Sequence, residues 1–214
     1  MAINNLAKGV ALLGGAGGVV GGYSLINHLS SNPKKEKAIT SVEDRLKKEG
    51  YTLLNFGNIS GDEWNKIKGA YEKENDDGKR FSGVNKSGND TLSGIRDACL
   101  RYLKGDSTDE SIYQLSRRWC IVPISVKSKL GNSALLKAGT GDSEDNNKWD
   151  KLVSKNESES ANKFVNFSSG ADANKKREEI KKQCETKAAI ETTDATFDET
   201  LRNVSSWCTS EATI

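Results

Sequence analysis

Two tryptophan-cysteine pairs, Trp119-Cys120 in "RRWCIVPISV" and Trp207-Cys208 in "SSWC", set the strongest constraint on what this chain can fold into. Each pair follows an earlier cysteine, Cys99 at 21 positions before Cys120 and Cys184 at 24 positions before Cys208. Each of those follows a tryptophan at a spacing of 35, Trp64 before Cys99 and Trp149 before Cys184. Further upstream, Ser41 and Ser125 each open the pattern Ser-Val-x-x-x-Leu. The landmarks Val42/Val126, Trp64/Trp149, Cys99/Cys184 and Cys120/Cys208 thus recur in order at offsets of 84, 85, 85 and 88. A recurring period is the mark of a structural unit used more than once, and here it reads as an internal duplication of about 85 residues. Trp64, Trp119, Trp149 and Trp207 are the expected core of the two copies.

The local signals within each copy are helical. With two prolines and many Lys, Glu, Asn and Ser residues, the 214-residue chain carries few strand signals. In the first copy Thr40-Ser41-Val42-Glu43 forms a capping box, and Gly50-Tyr51 a left-handed stop whose aromatic folds back on Leu46. Ser60-Gly61-Asp62-Glu63 opens a second helix with Trp64, Ile67 and Tyr71 on one face. A third carries Leu92, Ile95, Cys99, Tyr102 and Leu103 as its stripe. A fourth presents Ile112, Leu115 and Trp119 and ends before Pro123. The second copy follows the same plan. Ser125 caps "VKSKL", Gly131 stops it, and Trp149 and Leu152 mark the next helix. Ala173, Ile180, Cys184 and Ala188 share a face, and Thr196-Phe197-Asp198-Glu199 opens the helix that ends at Trp207-Cys208. The polar stretches "GDSEDNN" and "NESESANKFVNFSSGADAN" are expected to be mobile loops.

A cysteine on the apolar face of one helix and another at the end of the next suit a bridge across a helical hairpin. Of the three pairings open to four cysteines, only Cys99 with Cys120 and Cys184 with Cys208 keeps each bridge inside its copy. Free buried thiols are the alternative. A metal site is not expected, because there is no C-x-x-C spacing and His28 is the single histidine. No cofactor motif is present either.

The N-terminus is of different material. Gly9 to Asn27 is 19 residues without a charge, and seven of them are glycine. That length crosses a hydrocarbon layer as a helix, which makes the segment an uncleaved signal anchor, a signal peptide removed after export, or a Gly-rich buried stretch. Gly14, Gly18 and Gly22 stand at four-residue spacing, suited to close packing of membrane helices; accumulation of small residues in an export signal explains them equally. The glycines fit neither a dinucleotide fingerprint nor a P-loop, and the flanking charges do not fix an orientation.

Lys and Arg number 32 and Asp and Glu 30, interspersed, so no cationic stripe is available for a phosphate backbone and nucleic-acid binding is not expected. The carboxylate pairs Asp62/Glu63, Asp76/Asp77 and Glu178/Glu179 have no histidine base or nucleophile elbow beside them and read as solvated helix faces. The expectation is therefore an all-α protein: residues 1–30 a signal anchor or signal peptide, 31–40 a charged tether, 41–124 and 125–210 two helical repeats with one disulfide each, and 211–214 a tail. The functional expectation is a membrane-anchored binding or antigenic protein without catalysis. The alternatives are an extracytoplasmic hydrolase, or a structural membrane protein oligomerising through the glycine face. The sequence leaves the oligomeric state open.

The start "NLAKG…GGAGG…GGY", with "RLKKEGYTLL", "WCIVPISV" and the late Trp-Cys, resembles the large paralogous families of uncharacterised proteins of haemotropic mycoplasmas, wall-less bacteria that live on red blood cells. The resemblance spans nearly the whole chain and implies attachment to the cell membrane and display of the repeats outside; a ligand on the host-cell surface belongs to the functional expectation. It carries no assigned catalytic residues. No lipoprotein cysteine follows the apolar segment.

Overall fold

The computed structural model describes residues 39–131, 134–139, 143–161 and 163–213. Among them are eight α-helices and no strand: α1 (Val42–Lys48), α2 (Asp62–Lys73), α3 (Thr91–Tyr102), α4 (Glu110–Trp119), α5 (Val126–Leu130), α6 (Asn146–Ser158), α7 (Ala173–Ala188) and α8 (Phe197–Trp207). Two disulfides are present, Cys99–Cys120 and Cys184–Cys208. The segment 9–27, with Gly14, Gly18 and Gly22, and most of the 31–40 tether lie outside the described residues. Among the described residues no helix is long and apolar enough to cross a membrane.

Short local signals set the ends of α1. Ser41 accepts a hydrogen bond from the Asp44 N–H at 3.2 Å and so satisfies one of the helix's orphan donors. At the other end Gly50 takes φ +83°, a conformation open to glycine. Its N–H reaches the Lys47 carbonyl while the Tyr51 N–H reaches the Leu46 carbonyl, both at 3.0 Å, which together close a Schellman motif. The chain then leaves as the extended piece 51–55. At α5 Ser125 caps the Ser128 N–H and Gly131, at φ +86°, terminates the helix.

Two separate hydrophobic clusters follow. The first gathers Leu46, Trp64, Ile67, Tyr71, Ile95, Cys99, Trp119 and Cys120, and the second Trp149, Leu152, Ile180, Cys184, Val204, Trp207 and Cys208. The helix partners correspond: α1 packs on α4 as α5 packs on α8, α2 on α3 as α6 on α7, and α3 on α4 as α7 on α8. Backbone bridges correspond as well. Ser41 pairs antiparallel with Asp106, and Ser125 with Glu191; Leu53 pairs with Ile121, and Leu135 with Thr209. The Leu54 N–H reaches the Cys120 carbonyl at 3.1 Å, and the Leu136 N–H the Cys208 carbonyl at 2.9 Å. Each extended piece after the first helix is thereby pinned to the cysteine that ends the fourth. We call residues 41–121 and 125–209 the first and second modules.

Several sequence expectations are displaced. The N-cap of α1 is Ser41, one residue later than Thr40, and the Asp44 carboxylate accepts from the Ser41 hydroxyl at 2.9 Å. Neither the Ser60 nor the Thr196 side chain makes a cap bond, although Thr196 holds the N-cap position of α8. Ser60 lies before the N-cap Gly61, its N–H on the Asn58 side chain, and the Thr196 hydroxyl donates to Asp194. On α4 the fully buried residues are Tyr113, Ser116 and Trp119, with Ile112 and Leu115 only partly covered. Ala173 is exposed, and Lys181 takes a buried place on α7 instead, its ammonium on the Asn146 side chain at 3.0 Å.

The largest correction concerns the stretch from 156 to 174. Its first residues complete α6, and Phe164 is buried against Trp207, ring centroids 5.6 Å apart. The buried Asn156 side chain fixes this loop. Its oxygen accepts from the Phe164 and Val165 N–H groups at 2.7 and 3.0 Å, and its amide donates to the Val165 carbonyl at 2.8 Å. At the corresponding place in the first module Tyr71 does the same for Phe81, its hydroxyl accepting from the Phe81 N–H at 3.0 Å and lying 3.4 Å from the Phe81 carbonyl. Asn156→Ala strands three backbone groups, the buried Phe164 N–H and the partly buried N–H and carbonyl of Val165, and is expected to cost about 2–3 kcal/mol, whereas Tyr71→Phe, which removes one hydroxyl, costs about 1 kcal/mol. Urea midpoints at unchanged m-value measure both; equal, negligible losses would mean that the loop is held by something else.

Candidate functional site

The covalent feature is built identically in both modules. Cys99 lies on the inner face of α3 and Cys120 caps the end of α4; Cys184 lies on α7 and Cys208 caps α8. The Cα–Cα separations are 5.4 and 5.7 Å. Around them the tryptophans anchor backbone carbonyls through their indole N–H groups. Trp64 donates to Asn55 at 3.0 Å, Trp149 to Lys137 at 2.9 Å and Trp119 to Lys79 at 2.8 Å. Trp207 instead stacks on Phe164, with the Lys155 ammonium 4.6 Å from its ring. All four rings are buried, which ties the extended pieces and loops to the helices.

The second module also has a groove of about 720 Å³ between residues 135–139, α5 and α7. Leu136, Ala138 and Ala188 form its apolar part, Lys127 and Glu185 stand beside them, and it reaches both Cys184 and Cys208. Its origin lies in side-chain size. At the corresponding places the first module has Phe56, packed edge-on against Trp64 with centroids 6.0 Å apart, and Leu103, which is buried. The second has Ala138 and Ala188.

A third feature joins the modules, and it is polar. The Arg117 guanidinium grips the Asp198 carboxylate with two hydrogen bonds, one of 2.6 Å. Arg118 donates to the Thr193 carbonyl at 2.8 Å and pairs with Glu74 at 2.6 Å. Lys129 lies 4.0 Å from the centroid of the Tyr51 ring and donates to the Glu49 carbonyl at 2.8 Å. Beside them Arg45 stacks over Tyr113 at 3.5 Å, and the Tyr113 hydroxyl donates to the Glu49 carboxylate. Burial pushes the Tyr113 hydroxyl far above its ordinary value, reinforced by that bond, and raises Tyr51 as well. Burial also holds the Lys129 ammonium below its ordinary value.

The sequence carries no local signal for this polar joint: Asp198 stands within the capping-box pattern 196–199, and its partner Arg117 lies 81 positions away. The carboxylate pairs from the sequence stay apart from it. Asp62 and Glu63 are exposed in the first turn of α2, Asp76 caps a 3₁₀ turn through the Gly78 N–H, Asp77 pairs with Arg80, and Glu179 accepts from the Ser168 N–H. Among the described residues no cluster of His, Cys, Asp and Glu is placed to hold a metal ion. No protein-family model matches the chain, and no curated protein or solved structure is significantly similar to it.

The tyrosines predict an alkaline limit. Tyr51, Tyr71 and Tyr113 all have folded values raised above 10.0 by burial. Their contribution is complete below pH 10.0 and is lost as pH rises toward the folded values, because the unfolded chain ionises first. Lys129, lowered by burial, has the opposite sign, and its effect is confined to the interval below 10.5. The denaturation midpoint should fall as pH passes 10.0, and Tyr113→Phe should make that fall shallower. A slope unchanged by the substitution would remove Tyr113 as a cause.

Proposed function

We propose that the chain is a membrane-anchored binding or antigenic protein, displayed outside the cell, with no catalytic turnover, and that its ligand belongs to a host-cell surface. The observation that carries the reading is the pair of buried disulfides, one in each helical module. Such bridges form and persist in oxidising surroundings and are rare in reducing ones. The apolar segment from Gly9 to Asn27 would supply the anchor. The resemblance to uncharacterised protein families of haemotropic mycoplasmas supports the same location.

The modules suit display rather than chemistry. Two disulfide-closed helical units give a stiff support on which outward residues can change without loss of fold. The loop from 82 to 90 is largely exposed and contains two glycines with positive φ, Gly83 and Gly88, and it presents polar side chains such as Asn85, Lys86 and Asn89. The second module's long loop is instead pinned by Asn156. Recognition by exposed loops is therefore assigned first to the first module.

Intact cells provide the test. Trypsin added outside should cleave near Lys86, and a membrane-impermeant maleimide should label the chain only after reduction. Purified residues 39–214 should bind erythrocyte membranes saturably. Protection from both reagents until the cells are permeabilised would place the modules on the inner side and contradict the reading.

A further inference from the structure

The two disulfides are equivalent in position and unequal in access. Cys99 and Cys120 are both 0% exposed, whereas Cys184 is 4% and Cys208 1% exposed, and both line the groove of the second module. Four residues after Cys99, one helical turn along the same face, stands Leu103, itself 3% exposed. Four residues after Cys184 stands Ala188, on the groove wall. Phe56, packed on Trp64, has its counterpart in Ala138, also on the groove wall. With two small side chains in place of two large ones, a groove borders one buried cysteine pair, while its twin is covered by Leu103.

We propose that Cys184–Cys208 is a redox-addressable bridge, open to small thiols through the groove, and that Cys99–Cys120 is a permanent one. The reductant is a small thiol of the glutathione or dithiol class. Its thiolate attacks the sulfur of Cys184, the more exposed residue of the pair, forming a mixed disulfide; the electrons of the broken S–S bond leave on the Cys208 sulfur, which takes a proton from water. A second thiol attacks the sulfur of the reductant in the mixed disulfide, releasing Cys184 as a thiol and the reductant as its own disulfide. Access to the attacked sulfur is one of the factors that set the rate of exchange. Reduction frees the α7–α8 hairpin of its covalent tie while α3 and α4 stay joined. The second module becomes the one that loosens in a reducing environment.

The test is timed reduction of the full chain under native conditions with glutathione, followed by acid quenching, alkylation and peptide mapping. Labelling of Cys184 and Cys208 is expected to precede that of Cys99 and Cys120 by about tenfold or more in rate. Ala188→Leu, which restores the first module's side chain and has room in the groove, should slow the second bridge toward the rate of the first without lowering the denaturation midpoint. Parallel reduction of the two bridges, or earlier loss of Cys99–Cys120, overturns the proposal. So does a fast second bridge whose rate Ala188→Leu leaves unchanged, because the route would then be unfolding of the module and not the groove.

Discussion

Each module depends on one covalent closure: a cysteine on the inner face of its third helix joined to the cysteine that ends its fourth. The closed loops have sequence separations of 21 and 24. On the chain-entropy account each closure removes about 3 kcal/mol of freedom from the unfolded chain. That is a large share of the stability of a small domain, and it matters because only 35% of this chain is hydrophobic. The same cysteines organise the backbone. The carbonyls of Cys120 and Cys208 receive the N–H groups of Leu54 and Leu136, so the bridge, the helix end and the extended piece meet at one point in each module.

Around this shared frame the modules solve the same local problem by different chemistry. A buried polar side chain on the second helix must hold a phenylalanine-bearing loop, and a tyrosine hydroxyl does so in one module and an asparagine amide in the other. Both satisfy backbone groups that would be costly to leave bare. Where the frame imposes no such demand the modules diverge in volume, as at Phe56 and Ala138 or Leu103 and Ala188, and a groove follows. The joint between them is charged and aromatic, with the two hydrophobic clusters remaining distinct. Helix partners, bridges and disulfides nonetheless correspond between the two modules.

The features readable from sequence were those encoded by short spacings. Trp64, Ile67 and Tyr71 stand at i, i+3 and i+7 and form the buried face of α2; Gly50 and Tyr51 close α1; four cysteines find their pairing from helical position. The misread features depend on distant partners. Thr40 stands outside α1 with its carbonyl bonded to the distant Ser107 N–H, and Asp198 pairs with Arg117 of the other module. The loop around Phe164 looked mobile because its composition is polar, yet one buried asparagine decides its fate. The groove was illegible for a different reason: an alanine signals nothing until its counterpart in the twin module is known to be a leucine.

Mass mapping of peptides from the unreduced, rapidly alkylated chain tests the central claim most directly. Two cross-linked species should appear, one joining Cys99 to Cys120 and the other Cys184 to Cys208, with no alkylated cysteine. A link between a cysteine of the first module and one of the second, or four alkylated thiols, would contradict an architecture in which each module closes upon itself.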